Sequence, residues 1–288
     1  MPELHAAIVT PLDATNRLDT NAMQQLMRHL AQHGLDGVVP CGTTGEGPSF
    51  SVQERLEIIK STIAARGHLQ IIAGTGCQAL SDTVALTRAA IDAGADAALV
   101  LPPFFYKQSG DAGVIAWYRA VCDALPAHGK IILYHIPPMT GVAITVPIIE
   151  ALCRSHPEQI LGIKDSGVDA AHTAMLVASF PHLKIYTGNA PILAQAIRDG
   201  AAGSILAIAN IVPRALRILS DAPHRTDIQT QVAQVDAYVR KVGAASTIKA
   251  IITASGVAQV GAPRLPQLAH PDPTLAYQAF KQIGEYTV

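Results

Sequence analysis

Residues 70–101 read QIIAGTGCQALSDTVALTRAAIDAGADAALVL, and this stretch decides the fold. Gln70–Gly74 and Ala97–Leu101 are short, near-continuously apolar runs. Ser81–Ala93 between them carries apolar residues at helical spacing, and Gly94 sits just past its end, where a left-handed C-cap residue belongs. A strand that is apolar on both faces is at home in a parallel sheet covered by helices. The stretch therefore reads as one strand–helix–strand unit.

The same alternation extends in both directions. Further strands are predicted at Ala6–Thr10, Gly37–Pro40, Ile131–His135, Leu161–Lys164, Lys184–Thr187 and Gly203–Ala207. Helices are predicted at Asn21–His33, Val52–Ala65 and Asp111–Leu125, the second opened by a Ser51/Glu54 capping box. Gly34 and Gly67 follow helix ends as Gly94 does. Eight units at a repeat of roughly 20 to 35 residues predict an α/β fold closed as a (β/α)8 TIM barrel over residues 1–224. The competing doubly wound open sheet would carry a dinucleotide fingerprint after its first strand, and Thr10-Pro11-Leu12-Asp13 is nothing like one. Residues 225–288 show no strand pattern and read as a C-terminal helical extension of two or three helices, with Pro263, Pro266, Pro271 and Pro273 marking a loop inside it.

Composition narrows the function. In 288 residues, hydrophobic side chains make up 49% and charged ones 15%, enough for a sizeable core. A formal net charge of −1 gives no general attraction to nucleic acid or an anionic membrane. The longest apolar run, Ala97 to Phe105, is interrupted by Pro102 and Pro103 and falls short of the roughly 20 residues that span a bilayer. MPELHAAIVTPLD at the amino terminus lacks a basic segment followed by a long apolar one, so a cytoplasmic protein is expected. Cys41, Cys77, Cys122 and Cys153 form no C-x-x-C pair and fit free thiols in a reducing compartment. The eleven histidines include no H-E-x-x-H arrangement, are read as surface and packing residues, and predict no metal site.

A barrel of this kind carries its chemistry at the carboxyl ends of its strands. Of the eight lysines, Lys130 and Lys184 begin strands, Lys60, Lys241, Lys249 and Lys281 fall in helical stretches where a solvated amine is expected, and Lys107 lies in a polar loop. Lys164 alone ends a buried run. Burial disfavours an ammonium, and a neutral amine there is a nucleophile toward a ketone, forming a Schiff base. The plainer alternative is an ion pair with Asp165 at the rim. One strand earlier Tyr134 closes Lys130–Tyr134, about 4.8 Å across the sheet, where a phenol can carry protons for the amine. Alternatively it is a core aromatic whose hydroxyl meets the backbone. Cys41–Ser49, with three glycines and two threonines, is a tight turn able to cradle a carboxylate, and it lacks the lysine of a phosphate-binding loop.

Together, G-T-T-G-E at Gly42–Glu46, Y-x-x-P at Tyr134–Pro137, G-x-K-D at Gly162–Asp165, Thr187-Gly188-Asn189 and Gly203-Ser204-Ile205 resemble the pyruvate-dependent class I aldolase family, which includes dihydrodipicolinate synthase, N-acetylneuraminate lyase and 2-keto-3-deoxygluconate aldolase. The resemblance implies Lys164 as the Schiff-base lysine and Tyr134 as the proton shuttle. It further implies Thr44 as a second proton carrier, Thr43 at the substrate carboxylate, and Gly188 and Ile205 around the pyruvyl group. It also implies a homotetramer acting on a keto acid such as pyruvate, with neither metal nor organic cofactor. Two positions depart from the synthase pattern. Met139 stands where the synthase has an arginine for its second substrate's carboxylate, a charge-assisted contact worth roughly 1.5–3 kcal/mol. Phe105 aligns with a relay tyrosine lent across a subunit interface, unless Tyr106 supplies the hydroxyl. Both departures favour a lyase that cleaves a 2-keto-3-deoxy sugar acid to pyruvate and an aldehyde. The alternatives are 4-hydroxy-tetrahydrodipicolinate synthase and a 2-keto-3-deoxy sugar-acid dehydratase.

Overall fold

The computed structural model describes residues 1–167 and 169–283. Eight parallel strands pair in chain order, and the first closes on the last to make a barrel. They are β1 (Glu3–Ala6), β2 (Gly37–Val38), β3 (Gln70–Gly74), β4 (Ala97–Val100), β5 (Ile131–His135), β6 (Ile160–Asp165), β7 (Lys184–Thr187) and β8 (Gly203–Leu206). The helices between and after them are α1 (Thr20–Gln32), α2 (Val52–Ala64), α3 (Leu80–Asp92), α4 (Gly110–Asp123), α5 (Pro137–Thr140), α6 (Val146–Ser155), α7 (Ala170–Ser179), α8 (Leu193–Arg198) and α9 (Pro213–Asp221). Three more, α10 (Thr226–Val242), α11 (Ala244–Ser255) and α12 (Pro273–Lys281), form the extension. Among the described residues no helix is long and apolar enough to cross a membrane.

Side chains alternate across each strand, and this separates two cores. On β5, Ile132 and Tyr134 join Val39, Leu99, Tyr186 and Ile205 in the barrel interior. Ile131 and Leu133 face outward instead, packing with Val121 of α4 and Ile148 of α6. α2 begins as its sequence requires: the Ser51 hydroxyl accepts from the Glu54 amide while the Glu54 carboxylate accepts from Ser51 N. Gly94, at φ 103°, takes the left-handed turn that releases the chain from α3 into β4.

β1 begins at Glu3 and ends at Ala6, not over Ala6–Thr10 as the apolar run suggested. Its inward side chains are polar because the amino-terminal end of the barrel supplies partners. Lys184 Nζ lies 2.6 Å from Glu3 Oε1, and the Tyr186 hydroxyl donates to Glu3 Oε2. His5 is wholly buried, with its ring edge-on to Tyr186 at 5.4 Å.

The extension shares the barrel's outer core. Ile228, Val232 and Val239 of α10, Ile248 and Ile251 of α11 and Phe280 of α12 are buried in one cluster with Leu26 of α1 and Leu216 of α9. Each such apolar side chain contributes about 1.5–3 kcal/mol when fully buried, which fastens α10–α12 to the barrel.

Candidate active site

Tyr134 and Lys164 are direct partners in the β5–β6 ladder, and Lys164 pairs in turn with Tyr186 on β7. Register therefore sets amine and phenol side by side, both facing inward. Lys164 Nζ lies 3.2 Å from the Tyr134 hydroxyl and 4.3 Å from the centre of its ring. Both residues are buried, at 4% and 3% exposure. Burial pushes the Tyr134 phenol up, but the Lys164 charge and hydrogen bonds from Thr43, Lys164 and Ser166 outweigh it and bring the phenol below its ordinary value. The phenol meets side chains here, not the backbone.

The rim ion pair does not form. Asp165 is the next residue on β6 and so points outward, beneath α7. Its Oδ2 accepts from Thr173 Oγ1 at 2.7 Å and lies 3.1 Å from His172 Nδ1, while Oδ1 accepts from Gly167 N at 3.0 Å. His135, stacked on His172 at 4.7 Å, completes the one group among the described residues whose ligand atoms could converge on a cation. Its Nδ1 accepts from Ile144 N at 3.1 Å, which leaves the ring proton on Nε2, the atom that faces Asp165. Burial holds the His135 ring below the ordinary histidine value, against the raising effect of Asp165. These groups clamp β5, β6 and α7 together, through the bonds from His172 and Thr173 to Asp165 and through the stacked histidine rings.

The loop after β2 brings the third hydroxyl. Thr43 Oγ1 stands 3.2 Å from the Tyr134 hydroxyl. Expectation had given Thr44 the proton-carrying role and Thr43 the carboxylate. The geometry puts the exposed Thr43 on the phenol, whereas Thr44, which is buried, lines the same cavity without a described bond to it. The loop is folded tightly onto its neighbours: a Cβ at Gly47 would collide with the Cys41 carbonyl, and the Thr10 hydroxyl donates to Gly45 O at 2.7 Å. Glu46, at φ 58°, sits in the left-handed region that non-glycine residues rarely adopt. It is held there by Lys249 of α11, whose Nζ is 2.6 Å from Oε1, and by Arg264 N, which donates to Oε2 at 2.5 Å. Lys249 is thus no solvated amine; it is 1% exposed, and burial lowers it from the ordinary lysine value although Glu46 opposes this.

All six residues singled out from the sequence, Lys164, Tyr134, Thr43, Thr44, Gly188 and Ile205, border one cavity of about 200 Å³ at the carboxyl end of the barrel. Gly188 leaves room for its neighbour, since a Cβ there would collide with the Ser166 hydroxyl unless Ser166 moved. Sequence reasoning missed Ser166 and, on α10, Asp236 and Arg240, which border the cavity as well. Ser166 directly follows the G-x-K-D motif, but the two α10 residues lie in a region without recognisable motif. Met139 borders the cavity too, on α5. Phe105 and Tyr106 are 64% and 76% exposed, edge to face at 5.2 Å, and belong to the β4–α4 loop.

The profile of the dihydrodipicolinate synthetase family matches residues 2–278. An uncharacterized DapA-like lyase from Chloroflexus aurantiacus is 44% identical over 91% of this chain and 90% of its own. A 4-hydroxy-tetrahydrodipicolinate synthase from Corynebacterium diphtheriae is 34% identical over 91% of this chain and 87% of its own. Among solved structures, dihydrodipicolinate synthase from Aquifex aeolicus superposes with a TM-score of 0.88 over 98% of this chain and 97% of its own; at 24% identity, that likeness speaks for the fold.

Proposed function

Because the chain belongs to the dihydrodipicolinate synthetase family and is a class I aldolase-type lyase, we propose that it cleaves a 2-keto-3-deoxy sugar acid to pyruvate and an aldehyde through a Schiff base on Lys164. The observation that carries this reading is the contact chain Lys164 Nζ–Tyr134 OH–Thr43 Oγ1 on the cavity wall, buried at the amine and phenol and open to solvent at Thr43.

The amine of Lys164 adds to the C2 ketone, and loss of water leaves a protonated imine. Tyr134 takes the proton from the C4 hydroxyl. The C3–C4 bond then breaks, its electron pair passes to the imine nitrogen, and the aldehyde leaves. The enamine takes a proton at C3, and water hydrolyses the imine to release pyruvate and restore the amine. Thr43 relays protons to and from the phenol, Thr44 and the glycine-rich loop hold the carboxylate, and Gly188 and Ile205 bound the pyruvyl group. None of these steps needs a metal or an organic cofactor.

A synthase reading has one observation in its favour, the name carried by relatives at 34% identity. Against it, Met139 places a thioether at the cavity edge where that reaction calls for a guanidinium. The four free cysteines support a reducing, cytoplasmic setting, and the exposed Phe105–Tyr106 pair supports a contact surface on the β4–α4 loop, in keeping with the homotetramer that the family resemblance implies. Borohydride added with pyruvate is expected to fix a pyruvyl mass on Lys164, and purified protein to release pyruvate from a 2-keto-3-deoxy acid. An unmodified Lys164 would overturn the imine; condensation with aspartate 4-semialdehyde but no cleavage would overturn the lyase in favour of the synthase.

A further inference from the structure

The cavity has a second charged feature, away from the β5 and β6 ends. Asp236, Val239 and Arg240 present one face of α10 to it, as residues three and four apart do. Asp236 is 6% exposed although it bears a carboxylate. Among the described contacts its side chain has one hydrogen bond, accepted by Oδ2 from Arg240 Nε at 2.6 Å. The pair is therefore one-pronged: Oδ1 and both Arg240 Nη groups have no described partner. Arg–carboxylate pairs frequently close as a two-pronged fork, and this one leaves an oxygen and two nitrogens open to other partners. A buried carboxylate with an unused oxygen beside a cavity is a group held ready for a donor.

With that reading of the reaction as its basis, we infer that Asp236 and Arg240 form the subsite that holds the hydroxyl groups on the aldehyde-derived end of the substrate, a neutral polyhydroxylated chain. A hydroxyl both donates and accepts. Asp236 Oδ1 accepts from one, and an Arg240 Nη donates to the next. Together the two side chains carry no net charge. A phosphate or second carboxylate at that end would face a carboxylate that is already nine-tenths buried, and an ammonium would face the guanidinium. Pro138 and Met139 of α5, which also line the cavity, bring no charge to it.

The test compares kcat/KM for 2-keto-3-deoxygluconate with that for 4-hydroxy-2-oxobutyrate, which has the same reacting atoms and no hydroxyls beyond them. Asp236→Asn preserves shape. Arg240→Met alters a side chain that is more than half exposed, so it supplies a folded variant should the first fail. Each is expected to lower kcat/KM for the hydroxylated substrate by about 10- to 100-fold, chiefly through KM, and to lower it far less for the short one. Equal losses on both substrates, or none on either, would overturn the subsite while leaving the lyase reading intact. A loss confined to condensation with aspartate 4-semialdehyde would reassign the pair to an amino-acid head group. Wild-type protein that traps pyruvate on Lys164 yet cleaves neither substrate would refute the cleavage reaction itself, and the subsite with it.

Discussion

Changing Tyr134 to phenylalanine removes one oxygen and keeps nearly everything else. The ring remains packed in the barrel interior, and the Lys164 ammonium or amine still lies 4.3 Å from its centre. What disappears is the hydroxyl that is 3.2 Å from Lys164 Nζ and 3.2 Å from Thr43 Oγ1. Two ordinary hydrogen bonds are worth about 0.5–1.5 kcal/mol each, so stability should fall by about 1–3 kcal/mol. Catalysis should suffer more. A positioned acid–base group contributes about 10²–10⁴-fold, or about 3–5 kcal/mol of barrier at 1.36 kcal/mol per decade. The phenol is well suited to that work, since Lys164 and its hydrogen bonds bring it below the ordinary tyrosine value despite its burial. Pyruvate release followed by a coupled dehydrogenase assay gives kcat, and urea unfolding of the same preparation gives the stability term. A folded Tyr134→Phe variant with kcat within tenfold of wild type would refute the phenol's place in the proton path.

Two further outcomes follow from groups away from the reacting atoms. Lys249→Met leaves the wholly buried Glu46 without its cation, which should cost about 3–5 kcal/mol in urea unfolding, while Glu46→Gln combined with Lys249→Met should recover much of the loss; a single-variant cost below about 1 kcal/mol would show that the pair does not anchor the threonine loop. His29 of α1 and His33, just past its end, have ring centres 4.1 Å apart at a tilt of 33°, and burial, then the charges of His33 and Arg214, depress His29 from 6.5 to about 4. The unfolded chain therefore takes up a proton near pH 6.5 that the native state refuses until about pH 4, so stability falls as pH drops through that window. His29→Gln should flatten this part of the urea-stability profile; an unchanged slope would rule the residue out as its source.

Most of the barrel could be read from the chain because seven of its strands announce themselves as apolar runs. β1 was displaced because Glu3 and His5 look like surface residues, and nothing local reveals that Lys184, Tyr186 and Gln70 meet them across the interior. Lys164 and Tyr134 were legible because a reactive side chain at the end of a buried strand is conspicuous. Their spacing became certain only through the β5–β6 register, which no single stretch encodes. Which of Thr43 and Thr44 meets the phenol was hidden for a similar reason: adjacent residues in a glycine-rich turn have no periodicity to say which hydroxyl reaches Tyr134. Asp236 and Lys249 look like the polar faces of solvated helices, and only tertiary packing makes them otherwise.

The grip of Lys249 on Glu46 bears on how such a chain can be recombined. A helix that arrives some two hundred residues later fixes the turn carrying Thr43 and Thr44, so the tail is a late-made part of an early-made wall. Cutting it away, or exchanging it for the tail of a relative, would separate a turn from its fastening even with all eight strands retained. A workable chimera would keep residues 41–49 and 244–264 from the same parent.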